Sequence, residues 1–518
     1  MKSAVKTVSI VMIIMILSRI LSLVSSQVYI THFGIGLHTD IYSYAIQLPN
    51  TIFTSFGTAI TTVFIPIFAG YIAKNQKRKA DEFSNNIIGI SLIFTVCLSM
   101  VGFLISPLLV MFTRFRVEGY EFSVTTLRIM FPVVIFYALN YAFQGILQSK
   151  GKYNMPALVS IPSSVVVIGY VFLLGDKYGI MGLTVATLIG LSLQALILIP
   201  PIMATDYKFK LSFNFKNIDI RKAIKLMPPV LIGTSAYQLN MLFNISMAAN
   251  YKDGATIITL VQNLILYAVL AFIYSITAVF FPKFSMLYSK GDMDGFKECL
   301  IKVIKTVIYF VVPIAAGFIV LSYELLDFIY GYAKVTEANI YTASIIMILY
   351  ALGVTGNAVK EILDRAFYSL KDTKKPAING FVIMIINITL SLSLIKFIGL
   401  FAIPLSNSIA ILVGAYLIYW MIRKRVGNFP GEKLSVYSLK IVFSSGIMLI
   451  VVLCIKFLLA EYSTGILFID KGLKLLVPSG VGGIVYLIVT YLFRLDRAQD
   501  ILDKVIIRTK AQKVGDVG

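Results

Sequence analysis

Apolar runs of about 20 residues or more, the length a helix needs to cross the hydrocarbon core, recur from one end of the chain to the other. Short polar and basic stretches separate them. The strict alternation of outer-membrane strands is absent, so the pattern predicts helices. In order, the runs fall near 8–31, 41–72, 86–111, 122–147, 155–175, 179–203, 223–250, 255–288, 301–323, 339–368, 376–396, 400–422, 436–459 and 473–494. That is about fourteen transmembrane helices in an all-α integral membrane protein. The first run, from Val8, has no small-residue cleavage site and continues into a segment carrying Arg19, so no cleavable signal peptide is expected.

Composition agrees. The 518 residues are 58% hydrophobic and 14% charged, and no long polar stretch suggests a soluble domain. The net charge of +21 would suggest nucleic acid in a soluble protein, but cytoplasmic loops of membrane proteins also collect lysine and arginine. With the N-terminus inside, inner segments hold 34 of the 46 basic residues and outer segments hold 9. This bias predicts a cytoplasmic-membrane protein with both termini in the cytoplasm and no nucleic-acid partner. The 3 that remain, Arg19, Arg128 and Lys360, lie inside predicted spans. Such residues are costly in hydrocarbon and mark pathways or partners.

The chain also repeats itself. FIPIFAGYIAK (Phe64 to Lys74) answers FFPKFSMLYSK (Phe280 to Lys290), and SKGKYNMPA (Ser149 to Ala157) answers SLKDTKKPA (Ser369 to Ala377). Gln47 falls opposite Gln262. Six helices per repeat predicts two parallel six-helix lobes around a central cavity, with access alternating between faces. The expected domains are an N-lobe (1–205), a basic cytoplasmic linker (206–222), a C-lobe (223–425), two accessory helices (426–495) and a basic cytoplasmic tail (496–518).

The stretch from Leu17 to Asn50 shows what such a cavity could hold. Arg19 lies in the first span, Asp40 follows a Gly-rich turn, and Gln47, Pro49 and Asn50 either break the second span, where freed carbonyls would want a wet lining, or mark a plain kink without substrate contact. Arg19 either meets a phosphate or pairs with Asp40 or Glu361. In KEILDR, Lys360 and Asp364, like Glu361 and Arg365, stand at i,i+4 and can pair with each other instead of facing a cavity. Asn140, Gln144 and Gln148 form a polar stripe, as do Gln238, Asn240 and Asn244, and interhelical hydrogen bonding is the simpler reading for both. Arg128 lies where it could snorkel. The three cysteines are far apart with no disulfide or metal pattern, and His32 and His38 flank the first turn, where a polar loop is the simpler reading and a metal pair the alternative. There is no Walker loop, dinucleotide fingerprint or zinc signature, so no catalytic residue, metal or cofactor is expected.

SRIL (Ser18 to Leu21), HTDIYSYAIQLPN (His38 to Asn50), FIPIFAGY (Phe64 to Tyr71), FFPKFS (Phe280 to Ser285) and AFYSLKDTKKPA (Ala366 to Ala377) resemble the multidrug/oligosaccharidyl-lipid/polysaccharide flippase superfamily. Within it they are most similar to the MurJ-type lipid II flippases of bacteria. The resemblance implies a lipid-linked peptidoglycan precursor moved from inner to outer leaflet, driven by membrane potential or a coupling monovalent ion. It also implies contact with membrane lipids and the cell-wall synthesis machinery, and a monomer. Arg19, Asp40 and Lys360 match the family pattern. Elsewhere the chain departs from it: a second family arginine falls at about Ser25, a lysine at Gln47, an arginine pair at Phe53-Thr54 and an Asp-Arg at Gln262-Asn263. A diphosphate would lose bidentate charged contacts at those places.

The residues expected to contact substrate are therefore Arg19, Asp40, Gln47, Asn50, Arg128, Gln144, Gln262, Asn263, Lys360 and Glu361. The alternatives are a flippase for another lipid-linked glycan (an exopolysaccharide, spore-wall or teichoic-type unit), a cation-coupled multidrug exporter, and a non-transporting scaffold.

Overall fold

The computed structural model describes residues 2–495 except 153, 215–216, 266–268, 270, 333 and 430–433, together with residue 499. The tail expected at 496–518 lies outside the described residues, residue 499 apart. Among the described residues every regular element is helical: α1 (Lys2–Phe33), α2 (Leu37–Ala73), α3 (Lys77–Met111), α4 (Tyr120–Met130), α5 (Val133–Ser149), α6 (Asn154–Leu158), α7 (Ile161–Leu196), α8 (Ile199–Met203), α9 (Ile218–Ala248) and α10 (Gly254–Ile265). There follow α11 (Ala271–Ser289), α12 (Met293–Val320), α13 (Ser322–Tyr330), α14 (Glu337–Ser369), α15 (Lys374–Ile398), α16 (Ala402–Val426), α17 (Leu434–Leu458) and α18 (Leu467–Leu492).

Nine helical stretches among the described residues are long and apolar enough to cross a membrane. Two of them, Asn154–Met203 and Lys374–Val426, run for 50 and 53 residues, more than twice the length of a crossing of about 20. Each contains a glycine in the left-handed region, Gly179 (φ 57°) and Gly399 (φ 56°), where a β-carbon would be strained and a chain can turn. The protein is an all-α, multi-pass membrane protein.

Two local expectations are revised. The helix α2 runs unbroken through Gln47, Pro49 and Asn50. A proline withdraws a single N–H, and a membrane helix can continue past it. Beyond it Thr54 Oγ1 donates to the Asn50 carbonyl (2.6 Å) and Thr58 Oγ1 to that of Thr54 (2.8 Å), each back-bonding one turn. The helix α3 begins at Lys77, well before the apolar run near 86, because its polar first turns project beyond the hydrocarbon and leave no hydropathy signal.

The chain divides into two compact units. The first holds residues up to Leu264 with Tyr332–Asn339 and Gly380–Ile403. In it α2 packs along α9 and α5, α3 against α5, and α1 against α6 and α7. The core between α2, α3 and α5 is aromatic: Phe64 stacks on Phe68 and Phe83, and Phe53 on Phe56 and Tyr137.

The second unit holds the described residues of Ile265–Gly331, Ile340–Asn379 and Pro404–Gly518. There α17 packs on α12 and α18, and α13 on α18. Tyr486 donates to the Tyr309 carbonyl (2.6 Å), and Tyr309 shares a hydrogen bond with Thr490 (3.2 Å). At one end of the pair, Lys456 meets Glu324 (2.9 Å), and Lys471 meets Asp327 (2.7 Å) and the Gly331 carbonyl.

Candidate functional site

Arg19 owes its placement to the seam beside it. Ser18 Oγ donates to the Ala157 carbonyl (3.2 Å) and Ser22 Oγ shares a hydrogen bond with Ser164 Oγ (3.4 Å), so one face of α1 is committed to α6 and α7. Leu17, Arg19 and Ile20 fall on other faces and are exposed.

Asp40 is enclosed. Its side chain is 0% exposed; Oδ1 accepts the Thr256 N–H (2.7 Å), and Oδ2 meets Arg114 Nη2 (3.3 Å). Ser43 and Thr256 share a hydroxyl hydrogen bond beside it (3.3 Å). Asp253, buried nearby with φ 61°, accepts from Asn339 Nδ2 (3.1 Å). Asp40 thus joins the first turn of α2 to the first turn of α10 and to the segment after α3.

Along α2 below it, Gln47 Nε2 donates to Thr51 Oγ1 (3.4 Å), and Thr54 Oγ1 reaches Asn50 Oδ1 (3.4 Å). Gln47, Asn50, Thr51 and Thr54 recur every three to four residues, so they form one polar stripe on α2. Gln144 and its neighbours extend a polar chain through α5 and α7. Gln144 Nε2 donates to Asn140 Oδ1 (2.8 Å), Asn140 Nδ2 to Gln194 Oε1 (3.5 Å), and Gln194 Nε2 to Ser163 Oγ (2.8 Å). Gln262 and Asn263, late in α10, are half-buried.

Arg128 is engaged elsewhere. Its guanidinium lies 4.8 Å from the Phe103 ring centroid, and Nε donates to the Phe103 carbonyl (3.4 Å). In the second unit, KEILDR makes the pairs its spacing allowed: Lys360 with Asp364 at 2.7 Å and Glu361 with Arg365 at 3.9 Å. Among the ten expected contact residues, the structure thus brings Gln47 and Asn50 together on one stripe. Asp40, Arg128, Gln144, Lys360 and Glu361 have specific protein partners.

Three partners escaped sequence reading. Arg114, between the apolar runs near 86–111 and 122–147, is the counter-ion of Asp40 across 74 residues of chain. Thr256 contributes a backbone N–H, which no side-chain pattern reports. Asn387, buried in α15, donates to both Asn240 Oδ1 (2.7 Å) and Asn244 Oδ1 (2.9 Å). For this last the signal was present, since two asparagines at i,i+4 in an apolar run need a partner from another helix.

Comparison with known proteins is consistent with this architecture. The family model described as lipid II flippase MurJ matches residues 29–471. The chain is 25% identical over 476 residues to a probable lipid II flippase MurJ of Buchnera aphidicola subsp. Schizaphis graminum, covering 89% of this chain and 91% of that protein. A solved lipid II flippase MurJ in an inward closed conformation superposes with TM-score 0.80 at 23% identity, over 95% of this chain and 99% of that one. An inward-facing multidrug resistance MATE family transporter of the MOP superfamily gives TM-score 0.65 at 15% identity, over 79% and 94%. At those identities the two structures speak for the fold.

Proposed function

The chain belongs to the lipid II flippase MurJ family, and on that premise we propose that it carries lipid II, an undecaprenyl-diphosphate-linked peptidoglycan precursor, from the inner to the outer leaflet of the cytoplasmic membrane. The observation that carries this reading is the family match over residues 29–471, nearly the whole helical part of the chain. The protein is a transporter, with lipid-linked saccharide and membrane lipid as its partners.

In this proposal both termini are cytoplasmic, as the distribution of lysine and arginine supports. Fourteen helices work as a monomer by alternating access, driven by membrane potential or a monovalent cation. Arg19 is the group assigned to the diphosphate, because a guanidinium at bilayer depth is retained where it meets a charge. Gln47, Asn50, Gln144, Gln262 and Asn263 offer neutral hydrogen bonds to the saccharide. Lys360 and Glu361 bring charge from the other repeat. Asp40 and Arg128 act on the substrate path by holding its walls.

One observation favours a second reading, a flippase for another lipid-linked glycan. Phe53, standing where the family pattern has an arginine, is fully buried and stacks at 6.1 Å on Tyr137. No cation serves the substrate from that position, so the clamp for the diphosphate is weaker than the family pattern.

The test is rescue of a strain depleted of its own lipid II flippase. Wild type should restore growth, and Arg19→Ala, inserted at equal level, should fail. Rescue by Arg19→Ala would remove the arginine from the mechanism. Failure of a well-inserted wild type would move the assignment to the second reading.

A further inference from the structure

The link between α8 and α9 is a fixed strip laid on α3. Asn85 Nδ2 donates to the Lys208 carbonyl (3.0 Å), and Asn85 Oδ1 accepts from the Tyr207 hydroxyl (2.5 Å). Asn86 Oδ1 accepts from Ser212 Oγ (2.8 Å) and from the Asn214 N–H (2.6 Å). Tyr207 is buried in the aromatic core of the first unit. At Gly89 the Ser212 carbonyl oxygen occupies the space a β-carbon would need, so only glycine admits the strip there.

This backbone is held while its apolar side chains are only half covered. Phe209 is 57% exposed, Leu211 46% and Phe213 45%, and Lys208 and Lys210, which alternate with them, are exposed too. From Tyr207 to Ile218 the sequence contains no acidic residue. The carboxylates that flank or touch it are occupied: Asp206 by Lys150 (2.6 Å) and Lys77 (3.1 Å), Asp219 by the Tyr71 hydroxyl and Lys222 (3.8 Å), and Asp81 by the Lys208 N–H.

The depth of the strip fixes what it meets. Asn85 to Gly89 lie eight to twelve residues into α3, about 12–18 Å along its axis. The long apolar run of α3 begins at this level, after the basic turn Lys77, Arg78 and Lys79. Phe209, Leu211 and Phe213 therefore sit where water gives way to hydrocarbon. Aromatic and aliphatic groups partition into that layer, and lysines beside them are drawn to anionic headgroups.

We propose that Lys208–Phe213 is an interfacial anchor that binds anionic phospholipid, with Phe209, Leu211 and Phe213 at the acyl boundary and Lys208 and Lys210 on lipid phosphates. Charge selects this occupant: the strip offers ammonium groups and no carboxylate. The proposal does not depend on what the protein transports.

The chain's one tryptophan, Trp420, makes a clean reporter possible. Trp420→Phe combined with Phe209→Trp places the indole in the strip, and the protein is put into nanodiscs whose lipids carry brominated acyl chains. Quenching should be at least about twofold stronger with one-third phosphatidylglycerol than with phosphatidylcholine alone. Lys208→Gln/Lys210→Gln should bring it down to the phosphatidylcholine level. Gly89→Val, with helical circular dichroism retained, should lose the quenching by pushing the strip off α3. Equal quenching in the two lipid compositions would overturn the proposal, as would an indole reached by aqueous acrylamide in both. Displacement of the effect by added undecaprenyl diphosphate would assign the strip to that diphosphate and overturn phospholipid as its occupant.

Discussion

Asp40→Ala is expected to be among the most damaging single substitutions in this chain. The change deletes a fully enclosed carboxylate that one guanidinium and one backbone N–H share. Arg114, only 18% exposed, keeps its charge without the counter-ion, and breaking a pair of this kind costs about 3–5 kcal/mol. The Thr256 N–H, at the start of α10, loses its acceptor, worth about 1–3 kcal/mol when no water replaces it. Arg114 retains some access to solvent and lies 5.9 Å from the Phe115 ring, which softens the first figure, so the total is placed at about 4 kcal/mol. Asp40→Asn, which keeps an acceptor for Thr256 but no charge for Arg114, should fall between wild type and alanine. The assay is a double-mutant cycle of Asp40→Ala and Arg114→Ala, read by reversible unfolding in bicelles. If the two groups hold each other, the double variant should be less damaged than the sum of the singles by about 2 kcal/mol. Additivity within about 0.5 kcal/mol would refute the reasoning, since uncoupled groups cannot be the tie between α2 and the segment after α3.

Two further outcomes follow from hydrogen bonds described above. Asn387→Ala removes the donor shared by Asn240 and Asn244, and interhelical bonds within membranes average about 0.6 kcal/mol with a ceiling near 1.7, so a loss of about 1–3 kcal/mol is expected for the pair; unfolding in bicelles measures it, and no loss would mean the three asparagines are merely neighbours. Hydrogen bonds from Lys150 and then Lys77 hold the Asp206 carboxyl down to about 2. A depressed carboxylate stabilises the fold above its ordinary range and loses that contribution as pH falls through about 2. Asp206→Asn should therefore flatten the acid limb of the thermal-stability profile and leave the alkaline limb unchanged.

The fold was largely legible because hydrocarbon enforces it: every apolar run long enough to cross had to be a helix. What hydropathy could not show was where helices end in water, hence the early start of α3 at Lys77. Nor does hydropathy reveal that α2 continues through Pro49 as one helix. The candidate site was legible where spacing is local. Lys360 with Asp364 and Glu361 with Arg365 are i,i+4 pairs on one helix, and the spacing alone allows them. Asp40 was found, but its partners were not, since Arg114 is distant in sequence and the Thr256 contact is made by backbone. Asn85, Asn86 and Gly89 carry no sequence signal for a similar reason. They read as an ordinary polar entry to a helix until the strip they hold is seen.

An appended pair of helices can be ballast or a girder, and the lashings of α17 and α18 decide which. Two ion pairs fasten one end, Lys456 to Glu324 and Lys471 to Asp327, while Tyr486 and Thr490 tie α18 to Tyr309 of α12 toward the other end. Fastenings at separate points resist twist as well as separation, so α12, α13, α17 and α18 carry load as a single stiff member. Any bending during a working stroke has to be taken up outside that member, in segments with fewer cross-ties.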